Sequence, residues 1–461
     1  MIVMKFGGTS VESADAMRNV AMIVRREISR KPVVVVSACS GVTDALVDVA
    51  AAAADRKTVK ALGLVRSIRS RHLEIVNALF PRRQNRAVER LRDTLKRYAD
   101  ELSTLVNGVA VLGELTPRSM DAFLAYGERM SSLILHQWFV ARGIRSSLVD
   151  ARSFMITDEQ FTRAQPDSRR VARILRSEVV PRLRKHDLVL TQGFIGATPT
   201  GVTTTVGRGG SDFSASFIGA LLGAREIQIW TDVDGILTAD PTVVKGARNI
   251  RALSFREAAE LAYFGARVLH PETILPAVKR SIPVCVLNSK RPHWGGTVIT
   301  AKAPKNGGGV VKSIAYKEGI TLLNIVSSRM FLAHGFLENV FDVFHKYHTV
   351  VHTVATSEVS ISVTIDNVRH VKEIVKELRG FATVSVARKK AIVCVVGERL
   401  KKTPGVAARV MAAIGNVEIN MISQGASEIN ISVVVDESAI ATTVRRLHRE
   451  FYPDLPGGAG S

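Results

Sequence analysis

The stretch Val206-Gly207-Arg208-Gly209-Gly210-Ser211-Asp212 brings together the groups that hold an anion. Its three glycines let the backbone turn sharply, so that N–H groups can converge on one negative charge. Arg208 adds a planar fork that fits a carboxylate or a phosphate. Ser211 and Asp212 stand where the following apolar segment, Phe213 to Leu222, would begin a helix. That is good N-cap chemistry and leaves amide donors facing outward. Taken alone, the loop reads equally well as a helix cap with Arg208 in solvent. A second turn of this kind, Gly7-Gly8-Thr9-Ser10, follows a short strand, Ile2 to Phe6. Lys5 lies at the carboxyl end of that strand, where α/β sheets place ligands. The GxxxxGK[ST] spacing is absent, so this is not a Walker loop.

Three more stretches carry reactive side chains. Val33-Val34-Val35-Val36 is apolar on both faces, as a buried parallel strand requires, and runs into Ser37-Ala38-Cys39-Ser40-Gly41-Val42-Thr43-Asp44. Glu128, in Gly127-Glu128-Arg129-Met130-Ser131, opens a long amphipathic helix from about Phe123 to Ala141, where a carboxylate complements the helix dipole. Thr231-Asp232-Val233-Asp234-Gly235 follows the strand Glu226 to Trp230; its carboxylates suit a metal, ribose hydroxyls or an Asx turn.

The elements that position these residues read as alternating strands and helices. A helix spans about Ser13 to Ser29, with Met17, Val20, Ile23 and Val24 on one face. A helical block from about Val59 to Leu112 looks like an insertion or lid. Leu188 to Thr191 is a strand, Ser254 to Phe264 a helix, and Pro283 to Leu287 the last strand of this part. Successive strand–turn–helix units imply a parallel sheet with anion-friendly loops along one edge. Residues 302–309, Lys-Ala-Pro-Lys-Asn-Gly-Gly-Gly, are a linker by composition.

At 461 residues, 46% hydrophobic and 23% charged, the chain should form two or three packed domains rather than a disordered one. The net charge is +21, with much of the excess between Arg56 and Arg97. No aromatic interleaving accompanies it, so a solvated basic face is expected rather than a nucleic-acid surface; salt-steep RNA binding would be the mark of the other reading. Cys39, Cys285 and Cys394 lie far apart without CxxC spacing, which suits buried free thiols in a reducing compartment. No basic n-region with a long apolar run opens the chain and no 18-residue apolar run occurs, so a cytoplasmic protein is expected.

The remainder repeats itself at an offset of 70 residues. Gly335 aligns with Gly405, and Ser357-Glu358-Val359-Ser360-Ile361-Ser362-Val363 aligns with Ser427-Glu428-Ile429-Asn430-Ile431-Ser432-Val433. The first copy reads βαββαβ from about Gly319 to Val386. The second reads βαββα from about Ala391 to Tyr452 and lacks a last strand. Val310 to Tyr316 has strand character and is expected to complete the second copy, so the two small domains should be interleaved. The expected boundaries are 1–301 for the catalytic part, 302–309 for the linker, 318–387 for the first small domain, 310–317 with 390–453 for the second, and 454–461 for a tail.

Lys5-Phe6-Gly7-Gly8-Thr9-Ser10, Gly127-Glu128-Arg129-Met130-Ser131, Gly207-Arg208-Gly209-Gly210-Ser211-Asp212, Trp230-Thr231-Asp232-Val233 and Val268-Leu269-His270-Pro271 occur in the order seen in aspartate kinases. The C-terminal tandem resembles their paired ACT domains. The resemblance covers essentially the whole chain and implies an α/β amino acid kinase fold, a sheet sandwiched by helices, followed by two interleaved ferredoxin-like domains. It implies transfer of the γ-phosphoryl group of magnesium-bound ATP to the β-carboxylate of L-aspartate, the first step toward lysine, methionine and threonine. Lys5 with the Gly7 and Gly8 amides would contact the phosphates. Arg208 would clamp the α-carboxylate, Glu128 would pair with the amino group, Ser37, Thr43 and Ser211 would border the acceptor, and Asp212 would orient Lys5 or the substrate amine. Thr231, Asp232, Leu237, Arg267 and Val268 would face the nucleotide. No dedicated metal cage is expected.

Leu237, Thr242 and Arg267 stand where the family often carries tyrosine, arginine and lysine, which puts nucleotide affinity rather than aspartate binding in question. An amino acid effector, lysine or threonine, would contact Met330, Gly335, Phe336, Leu337, Val351, His352, Ser357 and Glu358. His352 falls where lysine-inhibited members often carry an aspartate. The implied assembly is a homodimer or dimer of dimers through the ACT domains, and a monofunctional enzyme without a homoserine dehydrogenase domain is expected. The competing reading is a catalytically silent amino-acid sensor on the same fold.

Overall fold

The computed structural model describes residues 1–81, 86–264, 269–302, 309–327, 335–425 and 427–453. The chain divides into two units. Met1–Ile236, Arg251–Phe255 and the stretch from residue 269 to 302 form the first. Leu237–Ile250, the stretch beginning at Arg256 and residues 309 onward form the second. The division therefore does not follow a single cut near residue 301.

In the first unit the chain runs β1 (Val3–Phe6), α1 (Ala14–Glu27), β2 (Val33–Val36), α2 (Val42–Ala54), α3 (Thr58–Leu79), α4 (Arg86–Leu112), α5 (Pro117–Ala141) and β3 (Ser146–Val149). It continues through α6 (Ser168–Ile174), α7 (Val180–Lys185), β4 (Leu188–Gln192), β5 (Ile195–Ala197), β6 (Thr203–Thr205), α8 (Gly210–Leu222) and β7 (Ile227–Thr231). Then come β8 (Ala252–Ser254), α9 (Phe255–Tyr263), which runs into the second unit, α10 (Pro271–Lys279), β9 (Val284–Asn288) and β10 (Thr297–Thr300). The sheet order is β3-β4-β2-β1-β7-β9-β10-β8. From β3 to β9 every pairing is parallel; β10 is antiparallel to β9. Thus β9 is not the last strand of this part, and β10 links β9 to β8.

The side-chain period of two decides what each face of β1 meets. Ile2, Met4 and Phe6 join Val34, Val36 and the helices α1 to α5 in one core. Val3 and Lys5 alternate with them and face α8, where a side chain on Gly219 would meet Ile227 and Val3. The strand order reverses at β1, since the chain builds β2 and β4 on one side of it and β7 and β9 on the other. Ligands of open parallel sheets bind at the carboxyl ends of strands at such a reversal.

Helix α5 starts earlier than its apolar pattern suggests. Thr116 caps it by accepting from the Ser119 N–H at 3.1 Å, and Pro117 takes the first turn. Glu128 consequently lies in the helix interior and cannot complement the dipole at its start. The block expected from Val59 to Leu112 is two helices, α3 and α4, packed on α2 and α5. Their basic residues Arg66, Arg86, Arg90, Lys96 and Arg97 are exposed.

The second unit has one six-stranded sheet, ordered β12-β13-β11-β14-β16-β15. Its strands are β11 (Ser313–Val326), β12 (Val351–Thr356), β13 (Ser360–Ile365), β14 (Thr383–Val396), β15 (Met421–Gln424) and β16 (Asn430–Asp436). Its helices are α11 (Phe336–Lys346), α12 (Val371–Leu378), α13 (Val406–Ile414) and α14 (Ile440–Phe451). β11 and β14 are both long and pair antiparallel through a register shift between Lys317 and Leu322. Before the shift, Ser313–Lys317 pairs with Ile392–Val396, the half of β14 that carries β16. After it, β11 carries β13. Two apolar cores follow, one with α11 and α12, the other with α13 and α14. Among the described residues no helix is long and apolar enough to cross a membrane.

Gly127 tests how tightly α5 meets the loop after β2. A Cβ there would lie 2.7 Å from the Cβ of Ala38. Alanine in an open helix interior gains about 1 kcal/mol over glycine, but overpacking costs about 1–3 kcal/mol. Gly127→Ala should therefore lower the thermal midpoint, as a scan of the purified protein would show.

Candidate active site

Lys5 ends β1 almost buried, and its Nζ lies 2.6 Å from Asp212 Oδ1 in the first turn of α8. The pair ties the central strand to the helix that follows the glycine loop. That loop is built on left-handed residues, with φ of 83° at Gly207 and 70° at Gly209, a region that suits glycine. Gly209, not Ser211 or Asp212, is the N-cap of α8. Ser211 and Asp212 fall inside the first turn, where Asp212 faces the positive end of the dipole. Ser211 is half-buried against Gly193.

The two glycines after β1 divide their roles. Gly7 N–H donates to the Trp230 carbonyl at 3.0 Å, so it extends the sheet instead of turning to a phosphate. Gly8 lies against the loop after β2: a Cβ there would come within 3.0 Å of the Ala38 carbonyl and 3.1 Å of the Ser40 nitrogen. Ser37 in that loop is half-buried. Its N–H donates to the Phe6 carbonyl, and its carbonyl accepts from Ser131 Oγ at 2.7 Å. Thr43 is half-buried in the first turn of α2.

Glu128 closes this edge from α5. It is buried, and its Oε1 accepts from the Ala38 N–H at 3.1 Å, while its buried Oε2 has no hydrogen-bond partner. Burial pushes its carboxyl up to about 8, with the Ala38 N–H opposing. Lys5, Asp212, Ser37, Thr43 and Glu128 thus gather at the carboxyl ends of β1 and β2. Arg208 is exposed instead and lines a cavity of about 530 Å³ between α8 and α10, beside Phe213, Phe217 and Thr273; no ion pair holds it among the described residues.

Several supports of the site escape a reading of motifs. Asp121, seven residues before Glu128 on α5, is fully buried and accepts from Thr162 N–H, Thr205 N–H and Thr205 Oγ1 at 2.9, 2.9 and 2.7 Å. It anchors β6, which leads into the glycine loop, and burial raises its carboxyl pKa despite those donors. Gln192 at the end of β4 donates to Ser132 Oγ and accepts from Ala151 N–H. The spacing of Asp121, Glu128, Ser131 and Ser132 along one helix was the available signal. It is lost if the helix is begun at Phe123.

On the β7 side, Thr231 Oγ1 donates to Asp232 Oδ1 at 3.2 Å, and Asp232 is exposed. Asp234 is held by Asn288 Nδ2 at 2.7 Å and by Arg291. Ser289 fastens the end of β7 through both its N–H and its hydroxyl to the Thr231 carbonyl, and Ser10 Oγ donates to Ser289 Oγ at 2.8 Å.

Residues 1–288 match the amino acid kinase family and residues 393–451 an ACT domain. The chain is 35% identical to lysine-sensitive aspartokinase 3 of Escherichia coli, over 98% of this chain and 99% of that one. The chain belongs to the aspartokinase family. The structure of E. coli aspartokinase III in complex with aspartate and ADP, in the R-state, superposes with a TM-score of 0.81 at 35% identity, covering 98% of this chain and all of that one. The T-state complex with lysine and aspartate also gives 0.81, at 34% identity over 98% and 99% of the two chains.

The other described residues expected to bind ligands of this aspartokinase fall in the second unit. Leu237 is half-buried, and its carbonyl accepts from Ser313 Oγ at 2.8 Å. Thr242 N–H and Oγ1 both donate to Asp240 Oδ1. Arg267, Val268 and Met330 lie outside the described residues. Gly335, with φ of 82°, caps α11, and Leu337 is exposed. Phe336 is buried in the α11–α12 core, so its ring is not offered to an effector. Val351 is half-buried on the edge strand β12; Ser357 and Glu358 are exposed, and the Ser357 and Ser360 hydroxyls bond each other at 2.7 Å. His352 is already engaged. Its Nε2 lies 3.0 Å from Asp366 Oδ1, Nδ1 meets the Tyr263 hydroxyl, and Lys317 Nζ pairs with Asp366 Oδ2 at 2.8 Å. Burial holds His352 below the ordinary imidazole value, against Asp366 and with the Lys317 charge.

Asp121→Ala would leave two buried donors of Thr205 and the half-buried Thr162 N–H without an acceptor, an expected loss of about 3 kcal/mol; urea unfolding checks it. Glu128 gives a pH signature. Its folded pKa is raised, so its contribution to stability is fully present below the usual 4.5 and is lost as the pH rises through about 8. Relative to Glu128→Gln, the ligand-free protein should lose up to about 1.4 kcal/mol per pH unit across that window. Parallel melting curves from pH 5 to 8.5 measure the difference.

Proposed function

We propose that the Lys5, Asp212, Ser37, Thr43 and Glu128 cluster is the phosphoryl-transfer site of an aspartate kinase, which forms 4-phospho-L-aspartate from L-aspartate and ATP. The observation that carries this reading is the near-buried Lys5–Asp212 pair at the carboxyl end of the central strand, in a chain related over its length to aspartokinases. A carboxylate nucleophile is already ionised at neutral pH and needs no base. The protein's task is to hold two anions together and offset their charge as the phosphoryl group moves. Lys5 supplies a positive charge there, and Asp212 fixes its direction. Magnesium enters with ATP as part of that substrate.

Glu128 Oε2, the buried oxygen without a partner, suits the α-ammonium of aspartate. Arg208, exposed on its loop, is free to turn onto the α-carboxylate. Glutamate differs by one methylene, worth only about 1–3 kcal/mol by volume. Its exclusion then rests on where its carboxylate falls relative to the γ-phosphate. Thr231 and Asp232, at the end of β7, face the nucleotide in this reading.

Within the second unit, residues 318–387 and residues 310–317 with 390–453 are read as two ACT domains that regulate the enzyme through an amino acid effector. The E. coli relative called lysine-sensitive supports regulation of this kind. A homodimer or dimer of dimers through these domains fits the exposed Val354 on β12 and Ile422 on β15.

The test is ADP release from magnesium-ATP with aspartate, glutamate or no acceptor, trapping the acyl phosphate with hydroxylamine. Aspartate-dependent hydroxamate is expected. Lys5→Met should lower kcat by at least about 100-fold, the usual scale for losing transition-state charge stabilisation. Arg208→Ala should raise the KM for aspartate about 10- to 100-fold, the loss of one charge-assisted contact of about 1.5–3 kcal/mol. Aspartate binding without ADP release would overturn the reading in favour of a silent sensor.

A further inference from the structure

Of the two carboxyls in the Lys5 cluster, Asp212 meets Lys5 and Glu128 meets no cation among the described residues. Its Oε1 is used by Ala38 N–H, and its Oε2 is buried without a partner. Its helix position, in the twelfth residue of α5, removes it from either end of the dipole. Few charges face it. From β1, Lys5 is held by Asp212 of α8. The loop after β2 contributes the Cys39 thiol, pushed up to about 12 by burial. On α2, Asp44 and Asp48 are exposed. From α3, Arg71 bonds the Ser40 carbonyl. From α4, Glu101 lies 3.8 Å from Arg129 of α5, which stacks between Tyr98 and Tyr126. From α1, Arg25 reaches the Arg142 carbonyl at the far end of α5. On α5 itself, His136 bonds Ser146 of β3, and Asp121 is satisfied by Thr162 and Thr205. β4 and β6 offer only the uncharged Gln192 and Thr205.

A fully buried carboxylate without a counter-ion costs far more than a neutral acid. An ammonium arriving against Oε2 reverses that balance, because the ion pair then forms in a low-dielectric pocket. We propose that Glu128 is the specificity gate of the acceptor site: uncharged while the site is empty, it gives up its proton to solvent when the α-ammonium of the acceptor arrives. Acceptor binding then releases one proton, and dicarboxylates that lack the amino group are held only while Glu128 stays neutral. The inference rests on the aspartate-kinase reading above and adds a proton linkage to it. The balance is simple: the Glu128 O–H bond breaks, the proton leaves to solvent, and the substrate ammonium keeps all its protons.

The measurement is calorimetric titration of L-aspartate into the full chain at pH 7, in buffers of different ionisation enthalpy. A group titrating at about 8 when the site is empty should release about 0.9 proton per aspartate bound. The KM for aspartate should fall about tenfold per unit from pH 6 to 7.5 and level off above 8, while the KM for ATP stays flat. Succinate inhibition should be flat over pH 6–7.5 and weaken about tenfold by pH 9. In Glu128→Gln, whose amide mimics the neutral acid, aspartate should release no proton and succinate inhibition should lose its pH dependence. Proton release below about 0.2 per aspartate in the wild type, or a KM for aspartate that is flat from pH 6 to 8, would overturn the gate and leave the kinase reading standing. Failure of aspartate to bind at all would overturn both.

Discussion

The polar stripe buried along α5 is the constraint on which the site depends. A polar atom shut away from water without a partner costs about 1–3 kcal/mol. Asp121 is satisfied by the strand before the glycine loop, Ser131 by the Ser37 carbonyl and Ser132 by Gln192 at the end of β4. Three segments from different parts of the chain, β6, the loop after β2 and the end of β4, are therefore registered against one rigid helix. Each bond is worth little in net terms, but displacing any segment strands a buried group, so the arrangement holds together. Glu128 belongs to the same stripe and is satisfied on one oxygen only. Its open oxygen marks the place in that registered array that a substrate group completes.

The sheet supplies the other half of the geometry. Because side chains alternate along β1, Met4 and Phe6 fill the core under α1 to α5, and Lys5 is turned toward α8. The same alternation that buries the strand delivers a single ammonium to its carboxyl end. Asp212 can meet it because α8 begins right after a left-handed glycine turn, which brings its first turn over the strand. Phe6 stacked on Trp230 and the Gly7 N–H on the Trp230 carbonyl keep β1 and β7 together at the strand reversal. The use of Gly7 in the sheet is the cost of that closure: one of two amides expected at the phosphates is committed elsewhere.

Two long strands dominate the second unit. β11 and β14 each serve both apolar cores, and the register shift near Gly319 is where one half gives way to the other. Around His352, a histidine, a tyrosine, a lysine and an aspartate satisfy one another. This is why a side chain expected to meet an effector is already paired. Phe336 shows the same lesson through packing, since its ring is needed by the core under α11.

Local sequence was enough to read the alternation of strands and helices, the 70-residue repeat, the glycine turns and the residue types of the site, because periodicity and turn chemistry act over a few residues. It was also enough to place Lys5, Asp212 and Glu128 in one family pattern. It did not reveal Asp121 or Gln192, whose partners lie 84 and 41 residues away. Nor did it reveal that Glu128 sits mid-helix with one oxygen unpaired, that Gly7 is bonded into the sheet, or that Arg208 faces an open cavity. Which groups are buried, and which of those lack a partner, depends on contacts between segments remote in the chain. Only tertiary structure decides those contacts, and burial without a counter-ion is what shifts the protonation of Glu128.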